Sequence, residues 1–122
     1  MTSAPLRLWG ITIDCVDVPL VALFWAQLLG GDPAPDGDLP GWLRIEPATP
    51  GTPHLTFQPV PEPKHGKVRI HLDLLVDDID AAVARVRELG GGETGERHGY
   101  DGGVVVVLTD PEGHEFCVAQ LG

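Results

Sequence analysis

Residues 68–76 read Val-Arg-Ile-His-Leu-Asp-Leu-Leu-Val and are followed at once by Asp-Asp-Ile-Asp at residues 77–80. Apolar side chains occupy every even-numbered position of the stretch, while Arg69, His71 and Asp73 stand between them. A period of two is typical of a strand with one buried and one open face. We therefore expect the three polar side chains in a row on the open face, about 6.6 Å apart and close enough to line one concavity.

The segment that follows this strand occurs twice in the chain. Residues 16–31 and 76–91 align at an offset of sixty residues, and both begin Val-Asp and end Leu-Gly-Gly. Each copy encloses a helix that starts beside aspartate and stops at glycine, with an alternating strand before it and three strand candidates after it. A repeat this short needs its twin to bury a shared core. The sequence thus predicts the α+β class, with two tandem βαβββ modules that form a curved mixed sheet around a concave cavity, helices outside.

Turn residues and apolar periodicity set the expected bounds of the elements. We expect strands at residues 8–16, 42–45, 54–58, 93–97, 103–109 and 114–120, and helices at residues 20–29 and 77–89. The proline-rich residues 60–66 form a linker between the modules. A chain of 122 residues is then one domain, residues 1–122, with module one at about 6–59 and module two at about 67–121.

Charge and cysteine content narrow the class of protein. Eighteen acidic residues against eight Lys and Arg give a net charge of -10, which argues against nucleic acid and anionic membranes as partners. Only Cys15 and Cys117 are present, a usage typical of reduced thiols. Met1 starts no secretory leader, and no apolar run is long enough to span a bilayer. We expect a soluble cytoplasmic protein whose partner is a small molecule or another protein.

The first predicted helix is apolar on more than one face. Its apolar residues are Leu20, Val21, Leu23, Phe24, Trp25, Leu28 and Leu29. Such a helix packs against a second chain or a flap as well as its own sheet, or it lies deep in its own core. The pattern leaves both alternatives open.

Several motifs, in order, resemble the vicinal oxygen chelate superfamily, which includes glyoxalase I, the bleomycin-resistance proteins and the extradiol dioxygenases. They are residues 13–31, Arg-Ile-His-Leu-Asp-Leu at 69–74 with Val-Asp-Asp at 76–78, Glu-Leu-Gly-Gly at 88–91, and Asp-Pro-Glu-Gly-His-Glu-Phe-Cys at 110–117. Val-Pro-Glu-Pro-Lys at 60–64 resembles the uncharacterised glyoxalase-like branch. The resemblance covers nearly the whole chain and implies a concave cavity formed by two paired modules, often between protomers, so we expect a homodimer.

Metalloenzymes of this superfamily hold a divalent ion with His or Glu residues from four strands. By resemblance, one ligand position falls on His71, one on Cys117, one on or near His54, and the first-strand position on Gly10 or its neighbour Ile11. Gly10 and Ile11 offer no side-chain donor, and a set that includes a thiol would be soft and zinc-like. We predict no metal or other cofactor, with His54, His71 and Cys117 as weak candidates if a divalent metal binds.

Independently of the resemblance, side-chain alternation places polar residues on the open faces of the predicted strands. They are Thr12, Asp14, His54, Thr56, Gln58, Arg69, His71, Asp73, Glu115 and Cys117. Such a set is either a polar pocket or the wet side of a sheet, and the curvature expected of a two-module fold favours the pocket.

The catalytic candidates are His71 and Asp73. An imidazole beside a carboxylate, here Asp73 or Asp14, can be oriented for acid–base chemistry, because imidazoles titrate near neutrality. A structural hydrogen bond explains the same pattern equally well.

Ligand contacts are predicted for Asp14, His54, Thr56, Gln58, Arg69, His71, Tyr100 and Cys117. Arg69 stands close in sequence to Lys64 and Lys67, a cluster that either recognises a carboxylate or phosphate or belongs to a solvated linker.

Aromatic side chains are candidates for stacking a flat ligand. Trp42 and Tyr100 suit this role, whereas Trp25 and Phe57 suit the core better. The polar, glycine-flanked residues 96–103 form either a flap over the cavity or an idle loop.

We therefore expect a small-molecule pocket around His71 in a metal-independent binding or sequestration protein of the resistance type. The alternative is a lyase, isomerase or dioxygenase-type enzyme that uses an atypical metal set or His71 as general base. A third possibility is an interaction module that works through its first helix. The sequence contains no phosphate-binding glycine loop, nucleophile elbow, CxxC or HExxH motif.

Overall fold

The computed structural model of the chain describes residues 4–122, with the side chain of Tyr100 excepted. Contacts between Cα atoms divide the chain into two units, residues 1–60 and 61–122. Each unit contains one helix and a mixed sheet of four strands in the order βαβββ. The predicted α+β class with two βαβββ modules is confirmed.

The two units have the same topology. The first contains β1 (Gly10–Cys15), α1 (Val18–Leu29), β2 (Ala34–Pro35), β3 (Leu43–Ile45) and β4 (His54–Pro59). The second contains β5 (Asp73–Leu75), α2 (Ile79–Glu88), β6 (Gly92–Tyr100), β7 (Gly103–Thr109) and β8 (Glu115–Gln120). The sheet orders are β1-β4-β3-β2 and β5-β8-β7-β6, so the first strand of each unit pairs in parallel with the last. Paired residues of these strands are forty-four positions apart in both units, which makes the sequence repeat a structural one.

Aspartate caps fix the start of both helices, at Val18 and Ile79, where the sequence predicts starts at residues 20 and 77. The side chain of Asp17 accepts a hydrogen bond from Leu20 N (3.1 Å), and that of Asp78 accepts from Asp80 N and Ala81 N. Such caps satisfy backbone donors that have no partner inside the helix. In the second unit the Oε1 atom of Gln120, at the end of β8, also accepts from Ile79 N (2.8 Å) and ties the start of α2 to the sheet.

Each unit has its own apolar core between helix and sheet. The largest fully buried side chains are Phe24, Trp25, Ile45, Leu55 and Phe57 in the first unit and Val86, Leu108, Phe116 and Val118 in the second. Trp25 and Phe57 are therefore core residues. Helix α1 is not completely buried in the core of its unit, because Leu20 is exposed and Leu23 retains 52% of its accessible surface.

The strand predicted over residues 68–76 is shorter than its alternating pattern indicates. Regular pairing covers only Asp73–Leu75, with one further bond from Cys117 N to Leu72 O (2.9 Å). Ile70, placed by the pattern on the buried face, is 77% exposed. The backbone leaves the ladder because Val68 N donates to the Glu115 carboxylate (2.7 Å) instead of to a strand carbonyl.

Residues 96–103 form a β-hairpin rather than a loop. Strand β6 continues to Tyr100, and β7 starts at Gly103. Asp101 (φ 47°) and Gly102 (φ 78°) make the two-residue turn, in which both central residues have positive φ. The segment expected as either a flap or an idle loop is therefore paired backbone, and the side chain of Tyr100, a predicted ligand contact, lies outside the described residues.

Candidate functional site

Three predicted site residues converge in the second unit. Asp73 of β5 is the register partner of Cys117 in β8, and His71 precedes β5 by two residues. The Nδ1 atom of His71 lies 3.9 Å from the Sγ atom of Cys117. Cys117 is buried and His71 is half-buried, so the contact is partly shielded from water. The parallel register brings together residues forty-six positions apart.

The environment of Cys117 favours the neutral thiol. Burial, followed by the negative charge and hydrogen bond of Asp73, raises the pKa of the Cys117 thiol, while Lys67 acts in the opposite direction. A thiolate is the form that attacks electrophiles and binds metals. At neutral pH the Cys117 side chain is therefore a polarisable, weakly hydrogen-bonding group rather than a nucleophile.

Glu115, two residues before Cys117, anchors the segment that carries His71. Its Oε1 atom lies 2.6 Å from Lys64 Nζ, and its Oε2 atom accepts from Val68 N at 2.7 Å. Burial alone would raise the pKa of Glu115, but the hydrogen bonds from Lys64 and Val68 and the charge of Lys64 outweigh it, so the pKa is lowered. The ionised carboxylate thus holds residues 64–68 against the start of β8.

The sequence reasoning missed His114, which lies beside this group. Burial lowers the pKa of His114, with Lys64 and His71 acting in the same direction and Asp110 and Glu115 opposing them. The imidazole is therefore mainly unprotonated at neutral pH. The strand predicted over residues 114–120 places Glu115 and Cys117 on its open face and His114 on the opposite face, which is why periodicity did not select it.

Arg69 does not join this cluster. It is exposed, and within residues 4–122 no hydrogen bond or ion pair connects it to the other side chains. Lys64, assigned with Arg69 to a possible anion site, is instead paired with Glu115.

The remaining predicted contacts share one face of the first unit. Register pairs Thr12 with Thr56 and Asp14 with Gln58, and the pair Gly10 and His54 lies on the same face. His54 and Thr56 are buried, Gln58 is half-buried and Asp14 is exposed. Arg44, opposite Thr56 on β3, also belongs to this face. Its alternation with Leu43 and Ile45 was the signal that could have found it.

The His54 ring occupies the space directly over Gly10. A Cβ atom at Gly10 would come within 2.3 Å of His54 Nε2, so only glycine fits beneath the ring. The Trp9 ring meets His54 nearly at right angles, with centroids 4.6 Å apart. His54 is therefore held by packing.

The donor set implied by the resemblance does not fit a divalent metal in this chain. Gly10 supplies no donor, and its surroundings exclude a larger residue. His54 belongs to the first unit and is packed by Trp9, while Cys117 in the second unit favours its protonated form. Among residues 4–122, apart from the Tyr100 side chain, no group of three or more His, Cys, Asp or Glu side chains is arranged to hold a metal ion. The absence of a cofactor nevertheless stays a prediction.

A protein-family model matches most of the chain. The family model described as Glyoxalase-like domain matches residues 10–119. The chain belongs to this glyoxalase-like family. The resemblance to the vicinal oxygen chelate superfamily is thereby confirmed, although no curated protein matches the sequence significantly.

Solved structures share the fold of this glyoxalase-like domain. A glyoxalase/bleomycin resistance protein/dioxygenase family enzyme from Burkholderia phytofirmans PsJN has a TM-score of 0.74 at 16% identity, with 93% of this chain and 98% of that chain covered. The fosfomycin resistance protein FosX from Mesorhizobium loti has a TM-score of 0.72 at 14% identity, with 98% and 95% covered. A protein described as oxidase ChaP-H1 has a TM-score of 0.68 at 24% identity, with 96% and 98% covered. At these identities the comparison establishes the fold alone.

Within the described residues, neither α1 nor α2 has the length and apolar character needed to cross a membrane.

Proposed function

We propose that this glyoxalase-like domain binds and sequesters a small molecule without a metal, at a site around His71. The observation that carries the proposal is the contact of 3.9 Å between His71 and Cys117, with Asp73 paired to Cys117 in register. Together they offer a half-buried imidazole, an exposed carboxylate and a buried thiol next to one another. A few convergent polar groups of this kind are typical of ligand sites.

The protonation states support binding rather than covalent chemistry. The pKa of the Cys117 thiol is raised by burial and by Asp73, so the site lacks a ready thiolate nucleophile. Glu115 is ionised but is occupied by Lys64 and Val68 N. The groups left for a ligand are donors and acceptors that fix its orientation.

An enzyme of the lyase, isomerase or dioxygenase type is the second candidate, and His114 is the observation that favours it. Burial lowers the pKa of His114, which keeps a second imidazole near His71 in the form that accepts protons. The structural neighbours include both a resistance protein and an oxidase, so the fold supports either candidate equally.

The other elements of the proposal follow the sequence predictions. We propose a single domain over residues 1–122 that forms a homodimer in the cytoplasm. The exposed Leu20 and Leu23 on α1 support the dimer, and the two buried thiols, Cys15 and Cys117, support a reducing compartment. Ligand contacts by Asp14, Thr56 and Gln58 of the first unit remain part of the proposal.

A thermal-shift screen of wild-type protein and His71→Ala tests the site. The screened compounds are small aromatic and anionic molecules, with fosfomycin included because of the neighbour FosX. A ligand present at a hundred times its Kd stabilises the native state by about 2.7 kcal/mol, which shifts the melting temperature measurably. We expect a stabilising compound whose effect disappears in His71→Ala but persists in His65→Ala, a matched control at an exposed histidine. Equal stabilisation of both variants would contradict a site at His71.

Metal analysis tests the metal-dependent form of the second candidate. Protein purified without a metal-affinity tag is measured for metal content beside His71→Ala. We expect metal far below one ion per chain in both proteins. Near-stoichiometric zinc, iron, nickel or manganese that disappears in His71→Ala would instead support the enzyme, and substrate screening would follow.

A further inference from the structure

An exposed tryptophan is held in a fixed orientation in the first unit. Trp9 lies immediately before β1 and is 76% exposed. Its ring packs edge-on against His54 with centroids 4.6 Å apart, and the guanidinium carbon of Arg44 lies 5.5 Å from the centre of the indole. Both distances fall in the range of favourable aromatic and cation–π contacts. The indole therefore has two defined neighbours and a large free surface.

The two neighbours are themselves fixed. The Nε and Nη2 atoms of Arg44 both lie 2.8 Å from Oε1 of Glu46, which sets the guanidinium plane. The His54 ring is buried and lies directly over Gly10, where no Cβ intervenes. Because these neighbours already hold the indole in place, a ligand that stacks on it loses less binding free energy to the ordering of side chains.

A recess adjoins Trp9. It has a volume of about 370 Å³ and is lined by Arg7, Leu8 and Trp9. Sites for small organic molecules start at roughly 300 Å³, so the space suits a molecule of one or two fused rings. The recess combines an aromatic face, an aliphatic side chain and a guanidinium.

The distribution of charge in this unit adds a second, independent argument. Residues 1–60 contain six acidic side chains but only two basic ones, Arg7 and Arg44. Both arginines are at Trp9, one lining the recess and one over the indole. Within the described part of the chain, Arg7 has no hydrogen bond or ion pair, so its guanidinium is available. The recess is thus a local positive site in an acidic unit.

We propose that Arg7, Trp9 and Arg44 form a binding site for a planar aromatic molecule that carries a negative charge, such as an arene carboxylate. The ring system stacks on the exposed surface of the indole. The carboxylate pairs with Arg7, whose planar donors match two carboxylate oxygens. Glu46 neutralises much of the Arg44 charge, so Arg7 supplies the preference for anions. This site is described wholly within the first unit and does not rest on the proposed function of His71.

NMR of the full-length, ¹⁵N-labelled protein tests the site. The chain has three tryptophans and hence three indole N–H signals. The Trp9 signal is the one that is lost in Trp9→Phe. The probe is 2-naphthoate, and the comparison compound is 2-naphthalenemethanol, which has the same rings but no charge. We expect 2-naphthoate to move the Trp9 signal saturably, while the signal of the fully buried Trp25 stays in place. We expect the affinity for the alcohol to be lower than that for 2-naphthoate by about fivefold or more.

Arg7→Gln and Arg85→Gln form a matched pair of variants. Both remove one positive charge at an exposed position, but Arg85 lies on α2 in the second unit. We expect Arg7→Gln to weaken 2-naphthoate about fivefold and Arg85→Gln to change it by less than about twofold. Melting temperatures check that both variants fold.

Four outcomes would each overturn this site. The first is a Trp9 signal that does not move with millimolar 2-naphthoate, and the second is an equal affinity for 2-naphthoate and the alcohol. The third is an equal affinity of Arg7→Gln and Arg85→Gln for 2-naphthoate. The fourth is a Trp9 signal that moves with protein concentration alone. The last outcome, with a dimer in light scattering that Trp9→Phe weakens, would mean that a second copy of the chain covers the recess. None of these outcomes affects the His71 test, whose readout depends on a different side chain.

Discussion

The imidazole of His54 lies over the Cα atom of Gly10, so that an added Cβ atom would come within 2.3 Å of Nε2. The two residues are register partners of the parallel strands β1 and β4. In the metalloenzymes that the chain resembles, the Gly10 position carries a histidine. Here the neighbouring strand β4 supplies an imidazole from His54 instead, and its ring already fills the space above Gly10.

Replacing Gly10 with alanine is expected to destabilise the protein. The new methyl group forces the buried His54 ring to move, and overpacking of this kind costs about 1–3 kcal/mol. Urea unfolding measures the change. Gly99→Ala is the control, because a Cβ there meets only the Gly103 carbonyl oxygen at 3.7 Å. In a His54→Ala background the cost of Gly10→Ala should largely vanish, and an undiminished cost would show that the ring is not its cause.

Glu115→Gln is expected to reduce stability at neutral pH and to flatten its decline in acid. The pKa of Glu115 is lowered in the folded protein by Lys64 and Val68 despite burial, so folding favours the ionised form. This contribution is complete above the ordinary carboxyl pKa and is lost as the pH falls through the lower folded value. The hydrogen-bonded charge contributes about 1–2 kcal/mol at pH 7.

Denaturant unfolding between pH 3 and pH 7 checks this expectation. Glu88→Gln serves as control, because its pair with Arg85 is long (4.0 Å) and both side chains are largely exposed. If Glu115→Gln lowers the free energy of unfolding no more than Glu88→Gln does, the contacts of Glu115 with Lys64 and Val68 do not have the proposed role. The same conclusion follows if the pH dependence of stability is unchanged in Glu115→Gln.

Cys117 is expected to react slowly with iodoacetamide at neutral pH and faster as the pH rises. Burial and Asp73 raise the pKa of its thiol, which reduces the reactive thiolate. Asp73→Asn removes the adjacent charge and should speed alkylation by roughly twofold to tenfold, since one pKa unit corresponds to a tenfold change in thiolate.

The rates are measured by mass spectrometry in a Cys15→Ala background, where Cys117 is the one remaining thiol. Asp77→Asn, the same charge change at an exposed position outside the strand, is the control. Equal rates in the two aspartate variants would exclude Asp73 as the cause of the low reactivity.

Leu23→Glu is expected to convert the proposed homodimer to a monomer. Leu23 and Leu20 are apolar side chains exposed on α1, and a buried unpaired carboxylate in a dimer contact is unfavourable. Light scattering coupled to size exclusion gives the mass. Ala84→Glu places the same charge on an exposed position of α2, away from Leu20 and Leu23, and should leave the dimer intact. A wild-type monomer at all concentrations would remove this part of the proposal.

Local sequence signals predicted the elements well where a side chain acts on its own backbone. Asp17 and Asp78 cap the two helices, and the turn at residues 110–113 is held by Asp110, whose Oδ1 atom accepts from Glu112 N and His114 N. Alternation also placed Thr12, Asp14, His54, Thr56 and Gln58 on one face of the first sheet, as the register confirms.

The same signals failed where a distant side chain intervenes. Alternation over residues 68–76 predicted a nine-residue strand, but Glu115 captures Val68 N, and Ile70 turns to solvent. Trp9, Arg44 and His114 were overlooked as site residues because their neighbours come from other strands and turns.

The sequence by itself determined the βαβββ repeat, the capping of the helices and the sorting of residues between the two faces of β1 and β4, because capping, turn formation and side-chain alternation act within a few residues. Only the tertiary structure decided that His71 meets Cys117, that Glu115 holds Lys64 and Val68, and that Arg44 lies over Trp9. These contacts depend on strand register and on the side-chain volume at positions such as Gly10, and neither is encoded in a local pattern.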